Sequence, residues 1–191
     1  MDQHLENKVC LITGATNGIG EESAKELNKM GAEIIFIARN EEKGNKLKEE
    51  LLKDSGREAT MIIADLSSQD QVKKAAEQFL SLDKPLDILL NNAGIMNRER
   101  NETVDGLEEV FSVNHLAYFT FTLMLSDKLK QTEGSRVINV ASGAHQFVKN
   151  MNFDDLQSKE NYKPMQVYGQ SKLANILFTK ALSTKLSDFG V

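Results

Sequence analysis

The sequence is short of cysteine, of positive charge and of long apolar runs. Its one cysteine, Cys10, cannot form a disulfide within the chain, which favours a reducing compartment. The net charge is -5 at pH 7, and no basic run offsets it locally, so a nucleic-acid-binding surface is not expected. No apolar stretch approaches the roughly 18 residues of a membrane span, and the N-terminal MDQHLENK lacks the apolar core of a signal peptide. These absences predict a cytoplasmic protein with no membrane span.

The chain does contain short apolar runs that alternate with longer amphipathic stretches. The apolar runs predict buried strands at 8–13, 33–38, 59–64, 86–90 and 136–141. The amphipathic stretches predict helices at about 18–30, 41–54, 68–82, 105–130 and 165–187. Because near-continuous apolar strands are separated by helices, we expect an α/β fold with a parallel sheet covered on both faces. The length of 191 residues suits one domain.

A glycine-rich loop, TGATNGIG, joins the first predicted strand to the first helix. Its glycines at 14, 18 and 20 allow a tight turn and a close approach of the backbone to a pyrophosphate. The N-terminus of the following helix would offer free N–H groups and the positive end of its dipole. The spacing differs from the common G-x-G-x-x-G fingerprint, and a turn without a ligand is the alternative.

Two cations follow the second predicted strand, where a dinucleotide site often has a carboxylate for the ribose 2′-hydroxyl. Arg39 ends that strand, and Lys43 lies one turn into the next helix. An arginine at this place accommodates a 2′-phosphate, so the sequence favours NADP(H) over NAD(H). The alternative is a solvated surface arginine. Asp65, with Leu66, and the stretch NNAG (91–94) end the third and fourth strands at the same sheet edge, which places them in the ligand crevice as well.

Tyr168 and Lys172 lie four residues apart in the stretch VYGQSKLAN. On a helix both side chains would lie on one face, where an ammonium favours the phenolate form of a phenol and so suits it to proton transfer. Tyr118 and Tyr162 have Thr122 and Gln166 at the same offset, so only Tyr168 has this pairing. The alternative is two neighbours on an amphipathic helix. No partner is apparent for His115 or His145, and no cluster has metal-ligand spacing, so no metal is predicted.

Taken in order, these stretches resemble the short-chain dehydrogenase/reductase family over the whole chain. The matching pieces are TGATNGIG, Asp65–Leu66, NNAG, VNH at 113–115, VAS at 140–142 and YGQSK at 168–172. ARNEEKGN, SGAH and YGQSKLANILFTKAL are similar to the retinol dehydrogenase and WW-domain oxidoreductase branch, as is the long irregular stretch at 143–164. VAS has Ala141 where many relatives have a second serine.

The resemblance implies a Rossmann-type doubly wound sheet with strand order 3-2-1-4-5. It implies Tyr168 as proton donor or acceptor, Lys172 as its partner and as a ligand of the nicotinamide ribose, and Ser142 as the group that holds the substrate oxygen. Asn114 would kink its helix and hold a water in a proton relay. The alternative for Ser142 is a serine in a turn after a strand, and the alternative for Asn114 is a partly exposed asparagine on a helix. The predicted cofactor-binding residues are Gly14, Ala15, Thr16, Asn17, Gly18, Ile19, Gly20, Arg39, Lys43, Asp65, Leu66, Asn92, Ala93, Gly94, Tyr168 and Lys172.

The leading functional hypothesis is an NADP(H)-dependent carbonyl reductase or alcohol dehydrogenase with a small apolar substrate. A nucleotide-binding regulator without turnover is the main alternative, and an extended epimerase or dehydratase is a weaker one. In the family the resemblance implies, helices 105–130 and 165–187 are the usual homodimer faces, and the alternative for the apolar stretch LAYFTFTLML is packing against the sheet. The family continues with two more strands and a substrate-covering segment, so residues 1–191 are expected to form one NADP(H)-binding domain that is incomplete at its C-terminus.

Overall fold

The computed structural model describes residues 4–191, which contain a five-stranded sheet. Its strands are β1 Val9–Thr13, β2 Glu33–Ala38, β3 Thr60–Ile63, β4 Ile88–Asn91 and β5 Arg136–Asn139. They pair in the order β3-β2-β1-β4-β5, and every neighbouring pair is parallel. The predicted fold class and strand order are confirmed. Four of the five strands begin or end a residue or two from the predicted bounds, and β2 matches its prediction.

Alternation along the strands divides the core between the two faces of the sheet. The helices on these faces are α1 Gly18–Lys29, α2 Glu41–Ser55, α3 Gln69–Ser81 and α5 Ala117–Met124. Leu11, Ile35 and Ile37 pack on one face with α3 and α5, whereas Cys10, Ile34 and Phe36 pack on the other with α1 and α2. The remaining α-helices are α4 Glu109–Phe111, α6 Ser126–Gln131 and α7 Pro164–Leu186. Helix α7 packs beside β5 through Phe178, Leu182 and Leu186.

The prediction of one continuous helix at 105–130 is wrong. The helical run starts at Glu109, because the wholly buried carboxylate of Glu108 accepts the N–H groups of Val110 and Phe111 at 2.9 and 2.6 Å. Asp105 lies outside the helix and accepts the N–H of Gln69 at the start of α3. The run then passes through a π-helical turn, Ser112–Leu116, and is broken again at Leu125.

The stretch predicted to be irregular contains two short 3-10 turns, Gly143–Phe147 and Phe153–Asp155. A third 3-10 turn, Ser187–Phe189, follows α7. Within residues 4–191 no helix has both the length and the apolar character needed to cross a membrane.

Candidate active site

A crevice of about 770 Å³ opens at the carboxyl ends of the parallel strands. This is the edge where ligands bind in doubly wound folds, because the loops that leave the strands diverge there. The predicted residues that line it are Gly14, Thr16, Asn17, Ile19, Arg39, Lys43, Asp65, Leu66, Asn92, Ala93, Gly94, Ser142, Tyr168 and Lys172. Four predicted residues, Ala15, Gly18, Gly20 and Asn114, do not line it.

The glycine loop leaves no room for side chains at two of its glycines. A Cβ at Gly20 would lie 2.2 Å from the carbonyl oxygen of Gly14 and 2.3 Å from Nδ2 of Asn92. At Gly14, where φ is +68°, a Cβ would lie 2.7 Å from Cα of Ala93. The backbone of the loop therefore packs directly against the NNAG turn, and the two segments form one wall of the crevice.

The start of α1 differs from the starts of the next two long helices. Asn40 accepts the N–H of Lys43 at α2, and Ser68 accepts the N–H of Gln71 at α3. Asn17, at the N-cap of α1, makes no such bond. Side chains thus cap the helices that follow, whereas the first turn of α1 keeps N–H groups and a positive dipole end for an anion. This cradle fits the pyrophosphate of a dinucleotide.

Thr13 and Asn92 join the two parts of this wall. Oγ1 of Thr13 accepts the N–H groups of Asn92 and Ala93 at 2.9 and 3.1 Å. Nδ2 of Asn92 donates in return to the carbonyl oxygens of Thr13 and Gly14 at 3.1 and 3.0 Å. Thr13 was missed by sequence reasoning as a site residue, although its place directly before the first glycine was a usable signal.

Arg39 and Lys43 are exposed at the rim of the crevice, one at the end of β2 and the other in the first turn of α2. Across from them, Oδ1 of Asp65 accepts the N–H of Ser67, and the N–H of Asp65 donates to Gln71. Asp65 is thus held in the turn that leads into α3, at the strand end where the sequence places it.

Tyr168 and Lys172 project from α7 into the crevice, as their helical spacing predicts. Nζ of Lys172 lies 5.6 Å from the ring centre of Tyr168 and donates to the carbonyl oxygen of Val140 at 3.0 Å. Tyr168 is half-buried, whereas Lys172 is 2% exposed. Burial lowers the pKa of Lys172 from 10.5 to about 8, because a charged amine loses its hydration there. The ammonium still predominates at neutral pH.

Ser142 lines the same crevice directly after β5. Its Oγ accepts the N–H of Ala144 at 3.1 Å, which caps the short turn Gly143–Phe147. An accepting hydroxyl keeps its own hydrogen, so Ser142 can still donate to an oxygen in the crevice. The turn-capping and oxygen-holding interpretations of this serine are therefore compatible.

Asn114 lies in the π turn, wholly buried behind the crevice. Its amide bonds the backbone of Ile95 twice, with Oδ1 accepting the N–H at 2.8 Å and Nδ2 donating to the carbonyl at 2.9 Å. Nδ2 also donates to Oγ of Ser171, and the Asn114 carbonyl accepts from Nδ2 of Asn175. Asn114 thereby ties the segment after NNAG to α7, and its place in a water relay stays a prediction.

His115 and His145 both have hydrogen-bond partners, contrary to the sequence-based expectation. Nδ1 of His115 lies 3.0 Å from Oδ1 of Asn175, and Nδ1 of His145 lies 2.7 Å from the carbonyl oxygen of Ser142. Burial lowers the pKa of His115, which keeps its ring neutral. Asn175 lies 60 residues from His115, so spacing along the chain could not indicate that partner, whereas Ser142 lies only three residues before His145. Neither histidine lines the crevice.

Sequence reasoning also missed nine residues that line the crevice: Ile37, Ala38, Asn40, Ala64, Ile95, Met96, Val113, Val140 and Ala141. Most are apolar strand or loop residues whose type carries no chemical signal. Their adjacency to predicted residues, such as Ile95 and Met96 directly after NNAG, was the available clue.

Comparison with known proteins agrees with this geometry. A model of the short chain dehydrogenase family matches residues 8–191. Retinol dehydrogenase 12 of Mus musculus is 40% identical over 188 residues, covering 98% of this chain and 59% of its own length. Polyprenol dehydrogenase of Homo sapiens is 38% identical over 192 residues, covering 96% of this chain and 57% of its own length. The chain thus spans less than two thirds of these relatives.

Solved structures show the same fold. A protein of Mycobacterium paratuberculosis superimposes with a TM-score of 0.85 and 34% identity, over 97% of this chain and 65% of its own. An active-site complex of Pseudomonas aeruginosa RhlG with NADP superimposes with a TM-score of 0.79 and 27% identity, over 99% of this chain and 71% of its own.

Proposed function

The chain belongs to the short-chain dehydrogenase family, and from that premise we propose that it transfers a hydride between NADP(H) and the carbonyl or alcohol carbon of an apolar substrate. The observation that carries the proposal is that Ser142, Tyr168 and Lys172 line one crevice together with the glycine loop. Within this family, such an arrangement places a proton donor, its cationic partner and a cofactor cradle within reach of one substrate.

The glycine loop, the uncapped start of α1 and the NNAG turn would hold the nucleotide, with Arg39 and Lys43 against its 2′-phosphate. The nicotinamide supplies the hydride when bound. The NADP in the RhlG complex supports this choice of cofactor. The remaining chemistry is the movement of one proton, which is the task of the chain's own side chains.

In the reducing direction, the substrate oxygen gains negative charge and must receive a proton. Tyr168 would donate that proton from its hydroxyl, while Ser142 donates a hydrogen bond to the same oxygen. The buried ammonium of Lys172 stabilises the phenolate that remains, since its charge is poorly screened at 2% exposure. In the oxidising direction the same groups act in reverse. Asn114 acts at a distance by holding Ile95 at the crevice edge.

An apolar substrate is favoured by the exposed Met96 and the half-buried Ile95 beside the reacting groups. Two relatives carry names that refer to retinol and polyprenol, both apolar alcohols. We also propose a cytoplasmic location and a homodimer that covers Phe119, Leu123 and Leu177, which are exposed on α5 and α7.

The test is to mix the purified protein with NADPH and a panel of apolar aldehydes, including retinal, and to follow the nicotinamide absorbance. We expect oxidation of NADPH that depends on both the aldehyde and Tyr168. Tight NADPH binding with no oxidation by any aldehyde, and no reduction of NADP by the matching alcohols, would instead indicate a nucleotide-binding regulator.

A further inference from the structure

Tyr118 is the largest of the side chains that are almost wholly buried, at 1% exposure. Its hydroxyl donates to the carbonyl oxygen of Ala93 at 2.7 Å. Ala93 belongs to the NNAG turn, which lines the crevice, whereas Tyr118 itself does not. The hydroxyl thus supports the crevice wall from behind.

The ring of Tyr118 faces the catalytic lysine. Its centre lies 5.7 Å from Nζ of Lys172, almost the same distance as the ring centre of Tyr168 on the crevice side. Both distances fall within the range of about 6 Å in which a cation is attracted by an aromatic ring. Lys172 therefore lies between two tyrosine rings, one in the crevice and one beneath it.

Few other groups stabilise this charge. Within the described residues, the direct hydrogen-bond acceptor of Nζ is the carbonyl oxygen of Val140, the residue that follows β5. Besides Lys172, the charged side chains that line the same crevice are Arg39 and Asp65, at the ends of β2 and β3, and Lys43, in the first turn of α2. Burial alone accounts for the lowered pKa of Lys172, with no ion pair offsetting it. Burial also raises the pKa of Tyr118, aided by Tyr168, so that its ring stays a neutral phenol.

We propose that Tyr118 is a positioning residue of the active site: its ring stabilises the ammonium of Lys172 from the buried side while its hydroxyl holds the NNAG turn at Ala93. The catalytic consequence rests on the function proposed above. The interaction itself is a property of the folded chain, whether or not that chain reduces a carbonyl.

The test separates the ring's electrostatics from its shape. The nucleotide-free protein is labelled with [ε-13C]lysine, the Lys172 signal is assigned by its loss in Lys172→Arg, and its titration midpoint is measured by NMR. Tyr118→Phe keeps the ring and removes the hydroxyl. Pentafluorophenylalanine at position 118 keeps nearly the same shape but reverses the charge distribution of the ring face. Because a desolvated cation–π contact is worth more than 1 kcal/mol, the fluorinated variant should lower the midpoint by about one pH unit relative to Tyr118→Phe.

Tyr118→Phe should titrate like the parent but unfold at a lower temperature, because the Ala93 carbonyl loses its partner. Equal Lys172 midpoints in Tyr118→Phe and the fluorinated variant would overturn the proposal and leave Tyr118 a packing residue. Tyr118→Leu, which removes the ring, should lower the midpoint less than the fluorinated variant, because it loses the attraction without adding a repulsion. Failure to oxidise NADPH with any aldehyde would refute the proposed function without changing these titrations.

Discussion

The two walls of the crevice differ in composition: one is mainly backbone and the other consists of side chains. The glycine-loop wall, formed by residues 13–20 and the NNAG turn, is mainly backbone packed on backbone, with no space for a Cβ at Gly14 or Gly20. The α7 wall, formed around Tyr168 and Lys172, consists of side chains, and Lys172 among them is almost wholly buried. The first wall is therefore governed by steric fit and the second by electrostatics. Changes in the first should affect nucleotide binding, and changes in the second should affect proton transfer.

The largest effect is expected for Tyr168→Phe, which removes the proton donor and little contact area. Turnover should fall by roughly 10²–10⁴-fold, while NADPH affinity changes little. Steady-state rates and nucleotide titration measure the two properties. Tyr162→Phe is the matched control, because Tyr162 donates to Asn97 outside the crevice lining. A Tyr168→Phe rate within tenfold of the parent would mean that another group is the acid.

Lys172→Met tests the burial of charge in the α7 wall. The unfolded chain holds the lysine proton up to pH 10.5, and the folded chain only to about 8, so the unfolded state binds more protons between these values. The Lys172 contribution to the free energy of unfolding should therefore rise with pH over that window, while the buried thiol of Cys10, whose pKa is raised from 9.0 to about 12, contributes a fall above pH 9 in parent and variant alike. Lys172→Met should lose this rise and be more stable near neutral pH by up to ~3 kcal/mol. Urea unfolding of nucleotide-free protein measures it.

Lys180→Met, on the same helix but exposed, is the control and should keep the parent's pH dependence. If the difference in stability between Lys172→Met and the parent did not change between pH 8 and 10.5, the buried charge would be contradicted.

Gly20→Ala tests the steric wall. The added methyl would lie 2.2 Å from the Gly14 carbonyl, so the loop must shift, at a loss of about 1–3 kcal/mol of stability and most of the nucleotide affinity. Gly143→Ala is a stability control, since its Cβ would meet open space. Thermal unfolding measures the loss of stability, and NADPH titration measures the loss of nucleotide affinity. If Gly20→Ala bound NADPH as the parent does, the close packing would not be what shapes the cradle.

The smallest effect is expected for Arg39→Asp, because Arg39 is an exposed side chain at the rim of the backbone wall. The parent should prefer NADPH to NADH by about ten- to a hundredfold, and the variant should reverse that order. Arg57→Asp, at the far end of α2, should leave the preference intact. Equal affinities of the parent for both nucleotides would remove Arg39 as the selecting residue.

The same contrast decides what the sequence could predict. The five strands and the glycine loop follow from local patterns, because turn chemistry and apolar runs are readable along the chain, whereas the strand order was predicted from the family resemblance. The π turn at Asn114 and the pairing of His115 with Asn175 depend on α7, which lies about 60 residues further on. Tyr118 gave no local signal, because its role consists of a contact with the NNAG turn, and Thr13 gave only its place directly before Gly14. The residue types in the sequence indicated the reactive groups, but they did not indicate the residues that hold those groups in position.

The most direct test of the two-wall account compares Gly20→Ala with Tyr168→Phe in one pair of assays. Equilibrium titration measures NADPH affinity, and a single-turnover mixing experiment with saturating NADPH and an accepted aldehyde measures the chemical step. We expect Gly20→Ala to lose affinity but to react at a nearly normal rate once saturated, and Tyr168→Phe to bind normally but react at least a hundredfold more slowly. Loss of the same property by both variants would contradict the account.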